Sequence, residues 1–322
     1  ARFWVGGYTA SMEGSASGIG IAQQRDDGSL EVSAVAAVTP SPSFIVSAHS
    51  LVYAVDESNS RAEVFRPSGG ATLEHLGGAS TSGAYPCHLS VTRRRLYVSN
   101  YGSGTVDVFA LSDGGLLGDL LQTFDGLGAT PHAHSTLVAG STVLSADLGD
   151  DRVHVHRLSD GMLERVGSGE FPVGTGPRDL LRSREGVTYL LGELSGAIFA
   201  IDDEARILAA GSVAADWVDG DHAAALALDA SGRYLYTGLR GSDRIAVVDA
   251  LTLVPIASVD CGGSWPRHLV VSGQLLHVAN ERSSTIATFR IDSATGIPTL
   301  VAPPQPAPTP TYLAEIQESG RR

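Results

Sequence analysis

Two histidines stand two residues apart in "PHAHST", residues 131–136. On a β-strand, positions i and i+2 point to the same side, so His132 and His134 are able to face one ligand. Arg178 and Arg267 likewise follow a proline, in "GPRDL" and "WPRHL", and Glu193 closes the run "TYLLGE". A histidine or a carboxylate is the group that takes a proton from water. An arginine fork stabilises negative charge on an oxygen or grips a carboxylate or phosphate. His132 and His134 with Asp147 or Glu193 would also make three ligands of a zinc-like site. The bland alternatives are cross-strand hydrogen bonding for the histidines and structural ion pairing for the arginines. Asp147, Asp150 and Asp151, in "DLGDDR", are read as turn residues.

The elements that must position these groups are repeated. Second-strand runs end near Gly7, Asp56, Asn100, Asp147, Glu193, Leu239 and Asn280, so the spacing stays between 41 and 49 residues. A second series starts at Pro42, Pro86, Pro131, Pro177, Asp221, Pro266 and Pro310, the fifth member lacking its proline. Each unit holds several short β-rich runs, and none has a sustained apolar period of 3.6 residues. A period of about 40–50 residues built from four short strands predicts a β-propeller. Seven units predict an all-β ring of seven four-stranded antiparallel blades, one domain over residues 1–322. The chain opens on a second-strand motif and closes on a lone proline-led strand, "PTYLAEI". One blade is therefore expected to form from both termini, and removal of residues 309–322 to open the ring.

Inner strands of a propeller line the central channel. The positions after each proline then bring together Cys87 and His88, His132 and His134, Arg178 and Asp179, His222, Arg267 and His268, and Tyr312. The second-strand ends add Asn100, Tyr101, Asp147, Glu193, Arg240, Asn280 and Glu281. Charges so placed are costly unless paired. Their clustering predicts a solvated polar funnel at one mouth of the channel, not a packed core. Cys87 has no evident activating base, so a thiolate nucleophile is not expected.

Composition bounds the partners. The 322 residues carry a formal net charge of −13, which argues against nucleic acid and anionic membranes. No stretch approaches the ~20 apolar residues of a membrane-spanning helix. The opening "ARFWVGGYTA" lacks the apolar run of a signal peptide, and Cys87 and Cys261 are the only cysteines. These features give the expectation of a reducing, cytoplasmic setting. They do not fix the oligomeric state.

The chain resembles the seven-bladed propeller lactonases, which include propeller-type 6-phosphogluconolactonases and fungal carboxy-muconate lactonising enzymes. The pieces that carry the resemblance run in order along nearly the whole chain. They are "PCHLSV…LYVSNYGSGTVDVF", "PHAHST", "DLGDDRV", "GTGPRDL", "GEL" and "WPRHLVV…LHVANERSSTIATFRIDSATG". It implies hydrolysis of a sugar-acid lactone without metal or other cofactor, on a small anionic lactone or carboxylate substrate. The alternatives are cyclisation of a muconate and a non-enzymatic binding platform. It implies catalytic roles for His132 or His134, Arg178, Glu193 and Arg267. His88, Asn100, Tyr101, Arg240 and Asn280 are the expected substrate-binding groups. Three positions depart from the family pattern: Asp179 replaces a histidine, Leu239 an asparagine, and "AAAL" stands for Ala-Ala-Glu.

Overall fold

The structure is a computed structural model that describes residues 1–159 and 162–317. Residues 318–322, the end of the predicted closing segment, lie outside the described residues. The chain forms seven antiparallel sheets, each of four strands, except that the sixth carries an additional short strand. The repeat predicts this because a half-buried sheet with apolar residues on both faces must stack on neighbours. Counting the sheet that opens with Ile45–Ala48 as blade 1 and the sheet that joins both termini as blade 7, Leu190 of blade 4 packs toward blade 3 and Leu191 toward blade 5. Alternation along one strand thus feeds two interfaces.

The core is divided accordingly. Seven buried apolar clusters occupy the seven blade–blade interfaces. Trp4, Ile21, Ile45, Val52 and Phe65 join blades 7 and 1, whereas Phe3, Val5, Ala279, Ile286 and Leu313 join blades 6 and 7.

Closure follows the expectation. The strand Pro310–Glu315 pairs antiparallel with Arg2–Gly7 and becomes the innermost strand of the terminal blade. The pairs Phe3–Glu315, Trp4–Ala314 and Val5–Leu313 set its register.

One local irregularity recurs and matters for the channel. Each of six inner strands breaks register with its second strand near its start, as a β-bulge does. The breaks fall between Pro86 and His88, Ala133 and Ser135, Pro177 and Asp179, Ala223 and Leu226, and Pro266 and His268, and opposite Gly6–Gly7. The unpaired residues are Cys87, His134, Arg178, the Ala224–Ala225 pair, Arg267 and Thr311. A bulge turns the extra side chain out of the ladder, and here it turns it toward the axis.

Candidate functional site

All of those bulged residues line a single cavity of about 220 Å³ near the starts of the inner strands. Arg178 and Arg267 therefore share one cavity, with His134 and Cys87 beside them. Ser43, in the segment before the inner strand Ile45–Ala48 of blade 1, completes this level.

Glu193 organises the first half of the polar set. Its Oε2 accepts from Arg178 Nη1, and its Oε1 lies 2.8 Å from Arg240 Nη2 and 3.2 Å from His222 Nδ1. Arg178, Glu193 and Arg240 are 7 %, 9 % and 5 % exposed, so the clamp is desolvated. Burial works against charge on Glu193, but the guanidinium groups of Arg178 and Arg240 outweigh it and hold the carboxyl well below its usual range. Burial, with Arg178 close by, pulls Arg240 below its ordinary value despite Glu193.

The second half surrounds Arg267. Its Nη1 donates to Glu281 Oε2 at 3.1 Å and its Nη2 to the Tyr8 hydroxyl at 2.6 Å. The Tyr8 hydroxyl in turn donates to Glu57 Oε1 at 3.3 Å, and Ser43 Oγ donates to Glu57 Oε2. Burial acts against the Arg267 cation, yet Tyr8, Glu281 and Glu57 around it push its pKa above the ordinary arginine value. Burial raises Glu57 above the usual glutamate value.

The two histidines of "PHAHST" separate. Ala133 pairs with Asp147 as Pro86 pairs with Asn100, so His134, not His132, occupies the bulge register of Arg178 and Arg267. Burial, then the charges of Arg178 and Arg267, hold His134 well below its ordinary value, so it is a neutral imidazole at neutral pH. Its Nδ1 is buried without a hydrogen-bond partner. His132 lies one level out and does not line the cavity. Its carbonyl accepts from Leu148 N as those of Tyr85 and Trp265 accept from Tyr101 N and Glu281 N. Its Nδ1 lies 2.9 Å from the Tyr101 carbonyl, and its ring stacks on Tyr101 at 4.5 Å. Tyr101 also meets His134 edge-on at 5.9 Å, so it steadies both rings.

Other expected groups have structural employment. Asn100 and Asn280 are fully buried and away from the cavity: Asn100 Nδ2 donates to Thr105 and Asp107, and Asn280 Nδ2 to the Cys261 carbonyl. Asp147 and Asp151 accept backbone N–H groups of neighbouring turns, as their sequence context predicts. His88 does line the cavity, but its Nδ1 accepts from Thr136 N of the next blade, and burial presses it down to about 3. Burial drives the Cys87 thiol up to about 12, which keeps it protonated. Among the described residues, no three of His, Cys, Asp and Glu are grouped closely enough to hold a metal ion.

Sequence reasoning missed Tyr8, Ser43 and Glu57. Glu57 and Tyr8 follow the ends of their second strands, as Glu281 and Glu193 do. The register is one residue later than the polar series Asp56, Asn100, Glu193 suggests, because Pro177 pairs with Gly192 where Pro86 pairs with Asn100. Arg178 is also not solvated, as a polar funnel would have it, but buried against Glu193.

The family model described as "Lactonase, 7-bladed beta-propeller" matches residues 2–314. The 6-phosphogluconolactonase of Bacillus subtilis (strain 168) is 30 % identical over 252 residues, 70 % of this chain and 72 % of that protein. Among solved structures, a putative 6-phosphogluconolactonase from Bacteroides fragilis superposes with TM-score 0.90 at 25 % identity, covering 98 % of each chain. The Pseudomonas aeruginosa periplasmic gluconolactonase gives TM-score 0.87 at 26 % identity, covering 97 % of this chain and 98 % of that one. The chain belongs to the seven-bladed β-propeller lactonase family.

Proposed function

We propose that this chain hydrolyses a sugar-acid lactone of the 6-phosphogluconolactonase type, at the cavity bounded by His134, Arg178 and Arg267 at the mouth of the channel. The observation that carries the reading is the convergence of two carboxylate-held arginines and one unpartnered neutral imidazole on that cavity. Membership of the lactonase family supports the reaction class.

The geometry supports the following division of labour. Water attacks the lactone carbonyl, and His134 takes the proton as the C–O bond forms. The carbonyl oxygen gains negative charge, which Arg178 or Arg267 meets with N–H donors fixed in advance by Glu193 and Glu281. The intermediate then collapses, the ring C–O bond breaks, and the imidazolium returns its proton to the departing ring oxygen. Glu193 is a positioning residue in this scheme, because both its oxygens are occupied by Arg178, Arg240 and His222. Each such assistance is worth about 10²–10⁴ in rate.

The test is hydrolysis of a panel of aldonolactones by the purified full chain, followed by acid release against the spontaneous rate. Turnover of at least one sugar-acid lactone is the expected result. Rates equal to the spontaneous background across the panel would overturn the reading.

A further inference from the structure

The charged side chains that line the cavity are Arg178, Arg267 and Asp179, and both arginines are already engaged by carboxylates behind the lining. Arg178 and Arg240 share Glu193, and Arg267 is shared between Glu281 and the Tyr8–Glu57 pair. Three guanidinium groups thus face three carboxylates. Among the described residues Asp179 is the one carboxylate of the cavity lining itself. Arg282, whose guanidinium lies over the Trp265 ring at 3.3 Å, is outside the cavity lining.

Asp179 occupies a defined place. His88, Asp179 and His268 follow the bulge in blades 2, 4 and 6 and perform one task. His88 Nδ1 accepts from Thr136 N at 3.3 Å, Asp179 Oδ2 from Leu226 N at 2.8 Å, and His268 Nδ1 from Leu313 N at 3.2 Å. Each ties its inner strand to the next one round the ring. Burial lowers both histidines to about 3, so at neutral pH they are uncharged; the aspartate is the odd member, its pKa raised by burial while the Leu226 N–H and Arg178 favour its carboxylate. Asp179 Oδ1 also accepts from Leu180 N at 3.0 Å. With one N–H on each oxygen, the carboxylate keeps lone pairs free for hydroxyl donors. On the other side, His88, Phe44, Tyr312 and His268 follow one another as tilted rings with centroids 4.3, 4.2 and 3.9 Å apart. The cavity therefore has one aromatic wall and one acceptor wall. That pairing suits a ring molecule with a C–H face and several hydroxyls.

We infer that the cavity takes an uncharged, hydroxyl-rich lactone in preference to its phosphorylated form, and that Asp179 sets this preference by accepting substrate hydroxyls and repelling anions. The inference rests on the lactonase reading above and narrows its substrate. It makes Asp179 a specificity-determining residue, where histidine at the same register would supply a neutral group.

The experiment compares kcat/KM for glucono-1,5-lactone and its 6-phosphate on wild type, Asp179→Asn and Asp179→His. Histidine is the safer replacement because His88 and His268 already hold the same backbone bond. Calorimetric titration with gluconolactam and with glucose 6-phosphate runs alongside and does not depend on turnover. Wild type is expected to favour the unphosphorylated lactone and the lactam by about tenfold or more, since a carboxylate opposes a phosphate dianion across a few ångströms of poorly screened space. Both variants are expected to shift the ratio toward the phosphorylated ligands by about tenfold. Preference for the phosphorylated ligands in wild type overturns the inference, and its loss in Arg282→Ala would assign the choice to the rim. An unchanged ratio in both Asp179 variants also overturns it. Background hydrolysis of both lactones defeats the lactonase reading alone, because the titrations still decide which ligand the cavity prefers.

Discussion

Removing one side of the Arg178–Glu193 clamp exposes how strongly the site is wired. Arg178→Met leaves Glu193 with Arg240 and His222, whereas Glu193→Gln leaves two buried guanidinium groups without their shared carboxylate. Breaking a buried ion pair costs about 3–5 kcal/mol, most of it the stranded charge. Unfolding entropy of about 2.1 cal/mol/K per residue gives about 0.7 kcal/mol/K for this chain, so each single variant should melt about 4–7 °C lower. Glu193→Gln should lie at the larger end. The double variant removes both charges of the pair and strands only Arg240, so it should cost less than the sum, with a coupling of about 1–3 kcal/mol. Denaturant unfolding of the four proteins supplies the free energies, and calorimetric melting the temperatures. Single variants within 1 °C of wild type, or additivity within about 0.5 kcal/mol, would refute the clamp.

Three further outcomes follow from the same arrangement. His134→Gln should lose about 10²-fold or more in kcat/KM, and His132→Gln less than about tenfold, because only His134 borders the cavity; equal losses in the two would contradict the register. Stability should fall as pH drops from 6.5 toward 3. His88, His156 and His268 are held at about 3 and His277 at about 4, so the unfolded chain binds more protons throughout that window. The four together contribute up to about 5 kcal/mol per pH unit near pH 5; a flat stability profile from pH 4 to 6.5, by denaturant titration, would count against their burial. Deleting residues 309–322 should abolish cooperative melting, since Pro310–Glu315 is the inner strand that pairs with Arg2–Gly7; a soluble truncated chain with the full-length melting temperature would show closure to be dispensable.

The architecture was legible because it rests on repetition. A proline-led strand and a second-strand run recur at blade spacing, and the mismatch between the two ends of the chain already implies a shared blade. The two arginines were legible for the same reason, each standing next to its proline. His134 was harder, because in blade 3 the proline stands three residues before the bulged position instead of one. Sequence spacing from Pro131 therefore treats His132 and His134 alike, and only the pairing of Ala133 with Asp147 separates them. Asn100 and Asn280 looked like site residues because they end strands that point at the channel, yet their amides turn back into their own blades. Tyr8, Ser43 and Glu57 come from the terminal blade and the first, and ring closure alone brings them to Arg267, which is 259 residues from Tyr8. The replacement of histidine by Asp179 reads in sequence as a break in the family pattern. In three dimensions Asp179 makes the inter-blade hydrogen bond that His88 and His268 make in their own blades.

The central claim is that Arg178 and Arg267 act together on one substrate. It is tested most directly by kcat/KM for lactone hydrolysis in wild type, Arg178→Ala, Arg267→Ala and the double variant, at a temperature where melting curves show all four folded. Each single change should cost about 10²–10³-fold, lysine at either position should restore little because a point charge lacks the planar fork, and the double variant should approach the uncatalysed rate. Turnover by the double alanine variant at the wild-type rate would contradict the account.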